Sequence, residues 1–292
     1  MARVRGTRPA RWLAIVAIVA LALGVGALAV LAYDRATPEA ASGSAAPVPT
    51  FEFGAKTPTA TPTAAPVARE AQRLLSVASE RWWRATVGVC GGPAPVIERS
   101  DDQGATWADV TPLYRGIAQV QTLDAFSPLD AELVAAVDGC SAEALRTYTG
   151  GEFWDPYADV LAASRFIEPL DAGSVHLPGR NVPAPCPTAS GLHAAGDVIA
   201  LLCDDRAWSW SGDEWTQLAP TDASALAIDD TDVIVAHRTD DCTGITLSRE
   251  SASTCVEDID PSQPVAISVA GAEVFVWSGD TVTRTPAPPP VE

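Results

Sequence analysis

The residues best suited to chemistry are few and scattered. His176, His193 and His237 each stand alone in strand-rich surroundings. A lone histidine of that kind is a core or surface residue more often than a base. Adjacent acids occur as Asp101-Asp102, Asp204-Asp205, Asp229-Asp230 and Asp240-Asp241. Two carboxylates ~5–10 Å apart across a cleft would suit glycoside hydrolysis. These pairs fall where strands end, and aspartate favours turns by bonding to its own backbone. None has the spacing of an EF-hand calcium loop. No G-x-S-x-G, H-E-x-x-H or P-loop string occurs. The sequence therefore assigns no catalytic residue, no metal ligand and no cofactor.

Six cysteines carry the next signal: Cys90, Cys140, Cys186, Cys203, Cys242 and Cys255. None of them lies two to four residues from another, as zinc ligands usually do, and there is no C-x-x-C redox pair. An even count points to disulfides in an oxidising compartment, with 15 connectivities open. The expected pairing is Cys90–Cys140, Cys186–Cys203 and Cys242–Cys255. The last two would close short loops around a hairpin, and the first would tie neighbouring repeats.

Tryptophan is the other conspicuous type. Trp82 and Trp83 are adjacent, so in a strand they point to opposite faces, while Trp208 and Trp210 share one. Most of this aromatic area is expected to pack between sheets. Trp82, Trp208 and Trp210 are kept as candidates for a binding surface.

The elements that position these residues follow from composition. The chain has 292 residues, 47% hydrophobic and 19% charged, with a net charge of −18. The apolar content excludes a wholly disordered chain, and the charge argues against a nucleic-acid partner. Residues 12–33 read WLAIVAIVALALGVGALAVLAY, without a charge. As a helix they span roughly 33 Å, enough for one membrane crossing. Arg3, Arg5, Arg8 and Arg11 precede the segment, which places residues 1–11 in the cytoplasm and the rest outside. The competing reading is a cleaved signal peptide with Ala27-Leu28-Ala29 as its processing site. Residues 34–69 are rich in Pro, Ala and Thr and are expected to form a disordered stalk. Residues 70–285 form the folded body, and 286–292 a short disordered tail.

The body is strands nearly throughout. A short apolar run, a tight polar turn and a stronger apolar run recur. The pattern occurs at Leu74–Val87, around Leu133–Val137, and at Ala195–Leu202, Leu226–Val235 and Ile267–Val276. Five copies at a period of about 43 residues indicate a small all-β propeller of four-stranded blades. The interval Tyr157–Pro187 has room for part of a sixth blade.

Ser100-Asp101-Asp102-Gln103-Gly104-Ala105-Thr106-Trp107 matches S-x-D-x-G-x-T-W at every defined position. The stretch resembles the BNR, or Asp-box, repeats of sialidase-like and sortilin-like propellers, and the resemblance covers roughly residues 70 to 285. It implies that Ser100, Asp102, Gly104, Thr106 and Trp107 build a turn between the third and fourth strands of a blade. That role is a folding device and does not imply catalysis. Weaker copies are Thr147–Trp154 and Ser209–Trp215. The Phe/Tyr-Arg-Ile-Pro motif of sialidases is missing, so none of their catalytic residues transfers. The resulting expectation is a non-catalytic binding or scaffold propeller, held at the cell membrane by one N-terminal helix. Its partner would be an envelope protein or a carbohydrate. The alternatives are a sialidase-like glycoside hydrolase with a diverged site and a purely structural envelope protein.

Overall fold

The computed structural model describes residues 72–78 and 80–290. The expected membrane helix at 12–33 and the stalk lie outside the described residues.

Among the described residues twenty-two strands form six antiparallel sheets. The first four sheets are β1(Arg73–Ala78) to β4(Ala108–Asp109), β5(Gln119–Ala125) to β8(Asp155–Pro156), β9(Phe166–Glu168) to β11(Arg180–Pro183), and β12(Ser190–Ala195) to β15(Trp215–Thr221). The last two are β16(Ala223–Asp229) to β19(Ala252–Val256) and β20(Val265–Ala270) to β22(Thr281–Pro286). The expected count of five blades is therefore corrected to six. The additional blade is β9–β11, inside the Tyr157–Pro187 interval. It was hidden because β9 has only three residues and β10(Asp171–Leu177) buries only two of its seven.

The middle strands explain why the sheets stack. In β6(Ala131–Val137) six of seven residues are buried, and β2(Arg81–Thr86) and β21(Glu273–Ser278) are nearly as dry. A strand buried on both faces needs a neighbouring sheet on each side. One apolar cluster fills each of the six interfaces between consecutive blades. The ring closes between first and last blades through Trp82, which meets Phe275 edge-on at 5.0 Å. Val77 N–H also donates to Ser268 Oγ there at 3.1 Å. Trp83 fills the next interface against Trp154, with centroids 5.9 Å apart. Both adjacent tryptophans thus pack between blades, on opposite sides of the first one. Trp82, kept above as a binding aromatic, is core.

The cysteines join as Cys90–Cys140, Cys186–Cys203 and Cys242–Cys255, with Cα–Cα distances of 5.9, 5.8 and 5.6 Å. The first links blades one and two.

Blade three departs from its neighbours. Elsewhere the innermost strand starts at one end of the central channel, near Gln72 and Ser190, and runs toward the other, near Asp124 and His193. β9 runs the opposite way. Arg165, just before it, lies with Asp124, while Ile167 lies with Gln72 and Ser190. The segment before β9 is a single helical turn and a half, α1(Ala158–Ala163). Its Ala- and Leu-rich sequence favours helix, and Ser164 Oγ donates to Val160 O at 2.7 Å where it ends. Val160 wedges between blades two and three against Val134, Ala144 and Phe166. With no full inner strand in blade three, β5 and β12 approach each other past β9. A recess remains at the Asp124 end.

Candidate functional site

That recess holds about 420 Å³ and is reached from solvent. Its charged lining is Asp124, Glu132, Arg146, Asp159, Arg165 and His193. Three of these stand in one row because of strand register. Asp124 of β5 faces Glu132 of β6, which faces Arg146 of β7(Ser141–Thr147). Directly opposed residues share a sheet face with Cβ atoms roughly 4.5–5.5 Å apart. Arg146 Nε donates to Glu132 Oε2 at 2.6 Å. The Arg146 guanidinium also lies over Phe126 at 5.9 Å and Tyr157 at 5.6 Å. Tyr148 meets both rings edge-on, at 6.4 Å from each. Phe126 and Tyr148 are each about half exposed, at 53% and 51%. The row therefore ends in an open aromatic rim.

Burial in the recess, with the charge of Glu132 second, pushes the Asp124 carboxyl up to about 6. The residue as a whole remains exposed to solvent. His193, on the facing strand β12, is pushed down to about 4 by burial. At neutral pH the recess thus offers a carboxylate, an arginine-bound carboxylate and an uncharged imidazole. These groups can hydrogen-bond a polyhydroxylated or cationic ligand.

The other two histidines have structural partners. His176 stacks on Phe166 at 4.6 Å, and His237 Nε2 lies 2.8 Å from Ser248 Oγ. Asp204 and Asp205 form a two-residue hairpin loop with φ of 49° and 58°, the paired positive values of a type I′ turn. Asp229 precedes the two-residue loop between β16 and β17 and pairs with buried Arg249.

At Ser100–Trp107 the side chains close the turn between β3(Ile97–Ser100) and β4. Gly104 N–H donates to Ser100 Oγ at 2.7 Å, and Thr106 N–H to Asp102 Oδ1 at 2.8 Å. Thr106 Oγ1 donates to Asp102 Oδ2 at 2.7 Å, and Trp107 Nε1 to Gly104 O at 3.1 Å. These bonds hold the Asp102 carboxyl below its ordinary range, the Thr106 hydroxyl contributing most. All of that hydrogen bonding is internal to the turn. Trp208 is half-buried against the core between blades three and four. Trp210 sits 5.1 Å from Trp215 and lines a separate outer groove.

Sequence reasoning missed the recess. Asp124, Glu132 and Arg146 are separated by 8 and 14 positions, and only hairpin register brings them together. The available signal was an acid on the same face of two strands flanking the Ser127-Pro128 turn. Among the described residues no group of acids, histidines or cysteines is arranged to hold a metal ion.

No protein-family profile and no curated protein matches the chain. Solved structures similar to it include YCF48 bound to D1 peptide, at 12% identity over 73% of this chain and 76% of that one, TM-score 0.40. An Aleuria aurantia lectin variant in complex with alpha-methyl-L-fucoside is 10% identical over 74% of this chain and 94% of that one, TM-score 0.42. An alpha-L-arabinofuranosidase from Clostridium thermocellum is 11% identical over 70% of this chain and 80% of that one, TM-score 0.36.

Proposed function

We propose that this chain is a non-catalytic saccharide-binding propeller, anchored to the cell membrane by residues 12–33 and displayed outside it on the 34–69 stalk. The observation that carries the binding reading is the row Asp124–Glu132–Arg146 ending at the half-exposed rings of Phe126 and Tyr148. Sugar rings lay apolar faces on such aromatics, while carboxylate and guanidinium groups take their hydroxyls. The non-catalytic reading is supported by Arg146, which occupies the Glu132 carboxylate and leaves Asp124 as the acid of the row without an ion pair. The extracytoplasmic placement is supported by the pairing of all six cysteines, since disulfides persist in oxidising compartments. The turns at Ser100–Trp107 and Thr147–Trp154 are read as Asp-box folding devices.

One observation favours a second reading, glycoside hydrolysis. Asp124, pushed up to about 6, directly faces Glu132. A proton-holding acid beside a second carboxylate is the pair a retaining glycosidase needs. The test is incubation of the full chain in detergent with a panel of aryl glycosides at pH 5. The binding reading expects no release above the buffer rate. Release by the native chain that disappears in Asp124→Asn establishes the enzyme instead.

A further inference from the structure

The second concavity at the same end of the propeller lies between blades three and four and encloses about 650 Å³. It goes beyond the recess, with which it shares only Arg165. Arg165 and Arg180 both line it, together with Trp210, Ser209 and Asp197. This chain carries 37 acidic against 19 basic residues, so an arginine has acids in excess to choose from. Arg81, Arg84, Arg99, Arg146, Arg238, Arg249 and Arg284 each take a carboxylate. Among the described residues Arg73, Arg115, Arg165, Arg180 and Arg206 do not, and of these five Arg165 and Arg180 line one groove together. Arg180 donates one nitrogen to Gly212 O at 3.1 Å and is otherwise exposed. Two guanidinium groups without an ion pair thus line one groove with the half-buried indole of Trp210 and the single acid Asp197.

We propose that this groove binds a saccharide bearing a carboxylate, a hexuronate, with Arg165 and Arg180 on the carboxylate and the sugar face against Trp210. Guanidinium matches carboxylate geometry bidentately. Ser209 and Asp197 are placed to take ring hydroxyls. The field of a chain at −18 opposes doubly charged phosphate more than a singly charged carboxylate, which selects the sugar acid.

The experiment is titration calorimetry of the full chain in detergent micelles with galacturonate, which carries one carboxylate, and with its methyl ester, which keeps the sugar and removes the charge. Galacturonate is expected to bind, and the ester to bind about tenfold or more weakly, a difference of about 1.4 kcal/mol per tenfold. Arg165→Gln and Arg180→Gln should each bring the acid close to the ester, and added salt should do the same. Arg180→Lys keeps the charge without the fork and should fall between. Arg180 lines this groove and not the recess, so a loss with Arg180→Gln separates the two sites. Equal affinity for acid and ester, undiminished binding by Arg180→Gln, or absence of saturable heat would overturn the proposal.

Discussion

The backbone N–H of Gly151 donates to Thr147 Oγ1 at 2.9 Å, in the blade position where Gly104 N–H donates to Ser100 Oγ at 2.7 Å. The likeness extends two residues further, with Phe153 N–H on Thr149 Oγ1 at 3.0 Å where Thr106 N–H meets Asp102. Gly104 and Gly151 share positive φ values of 87° and 91°. The degenerate sequence Thr-Tyr-Thr-Gly-Gly-Glu-Phe-Trp therefore builds the same turn, with hydroxyls in place of hydroxyl and carboxylate.

These turns should be stability elements. A Cβ on Gly104 would meet Trp82 Cζ3 at 2.5 Å, in a backbone region side chains avoid. Gly104→Ala is expected to cost roughly 2–4 kcal/mol. Thr147→Ala, which leaves a buried N–H without a partner, should cost about 1–3 kcal/mol. Urea denaturation of the full chain in detergent measures both. A loss under 0.5 kcal/mol on the order of ordinary surface changes would mean the turns are not held by these bonds.

Two titrations in the recess oppose each other. Asp124, raised to about 6 in the folded chain, binds its proton more tightly folded than unfolded. Its contribution therefore favours folding below about pH 4 and is lost as pH rises toward 6. His193, lowered to about 4, contributes above its unfolded value near 6.5, and that contribution is lost as pH falls toward 4. Asp124→Asn should raise Tm at pH 7 and leave a chain that weakens more steeply on acidification. His193→Gln should do the reverse, flattening the loss below pH 6.5. Thermal melts from pH 4 to 8 would show parallel curves for all three proteins if the recess did not dehydrate these groups.

Arg146 holds the Glu132 carboxylate in an ion pair beside Asp124. With Arg146→Ala the Glu132 charge is uncompensated, and Asp124 should titrate above 6. Carboxyl carbon chemical shifts against pH read this directly. An unchanged midpoint would show that the row is not electrostatically connected.

The disulfides should differ in weight. Cys90–Cys140 closes 50 residues and Cys242–Cys255 closes 13. Loop entropy then assigns about 4 and about 3 kcal/mol. Cys90→Ser with Cys140→Ser should lower the denaturation midpoint more than the Cys242 and Cys255 double variant does. The opposite order would place the stabilisation in local packing.

Much of the fold was legible because apolar pairing within a blade is a local signal. Leu226–Val235 and Ile267–Val276 announce hairpins by alternation and by a tight turn between them, and both are hairpins. Blade three was not legible as a blade, since α1 replaces an inner strand and the Asp171–Leu177 strand is mostly half-exposed. The tryptophans show the limit of side-chain type as a guide. Trp82 and Trp210 look alike in sequence, yet one seals the ring against Phe275 and the other lines a groove. The recess was least legible, because Asp124, Glu132 and Arg146 become neighbours only across three paired strands.

The most direct test of the account is retention of saccharide at that row. An array of neutral oligosaccharides is exposed to the full chain in detergent, and the bound glycan is recovered and weighed by mass spectrometry. The account predicts a glycan recovered intact, with binding weakened about tenfold or more, or about 1.4 kcal/mol, by both Asp124→Asn and Glu132→Gln. A glycan cleaved by the native chain and left whole by Asp124→Asn, or binding indifferent to both substitutions, would contradict it.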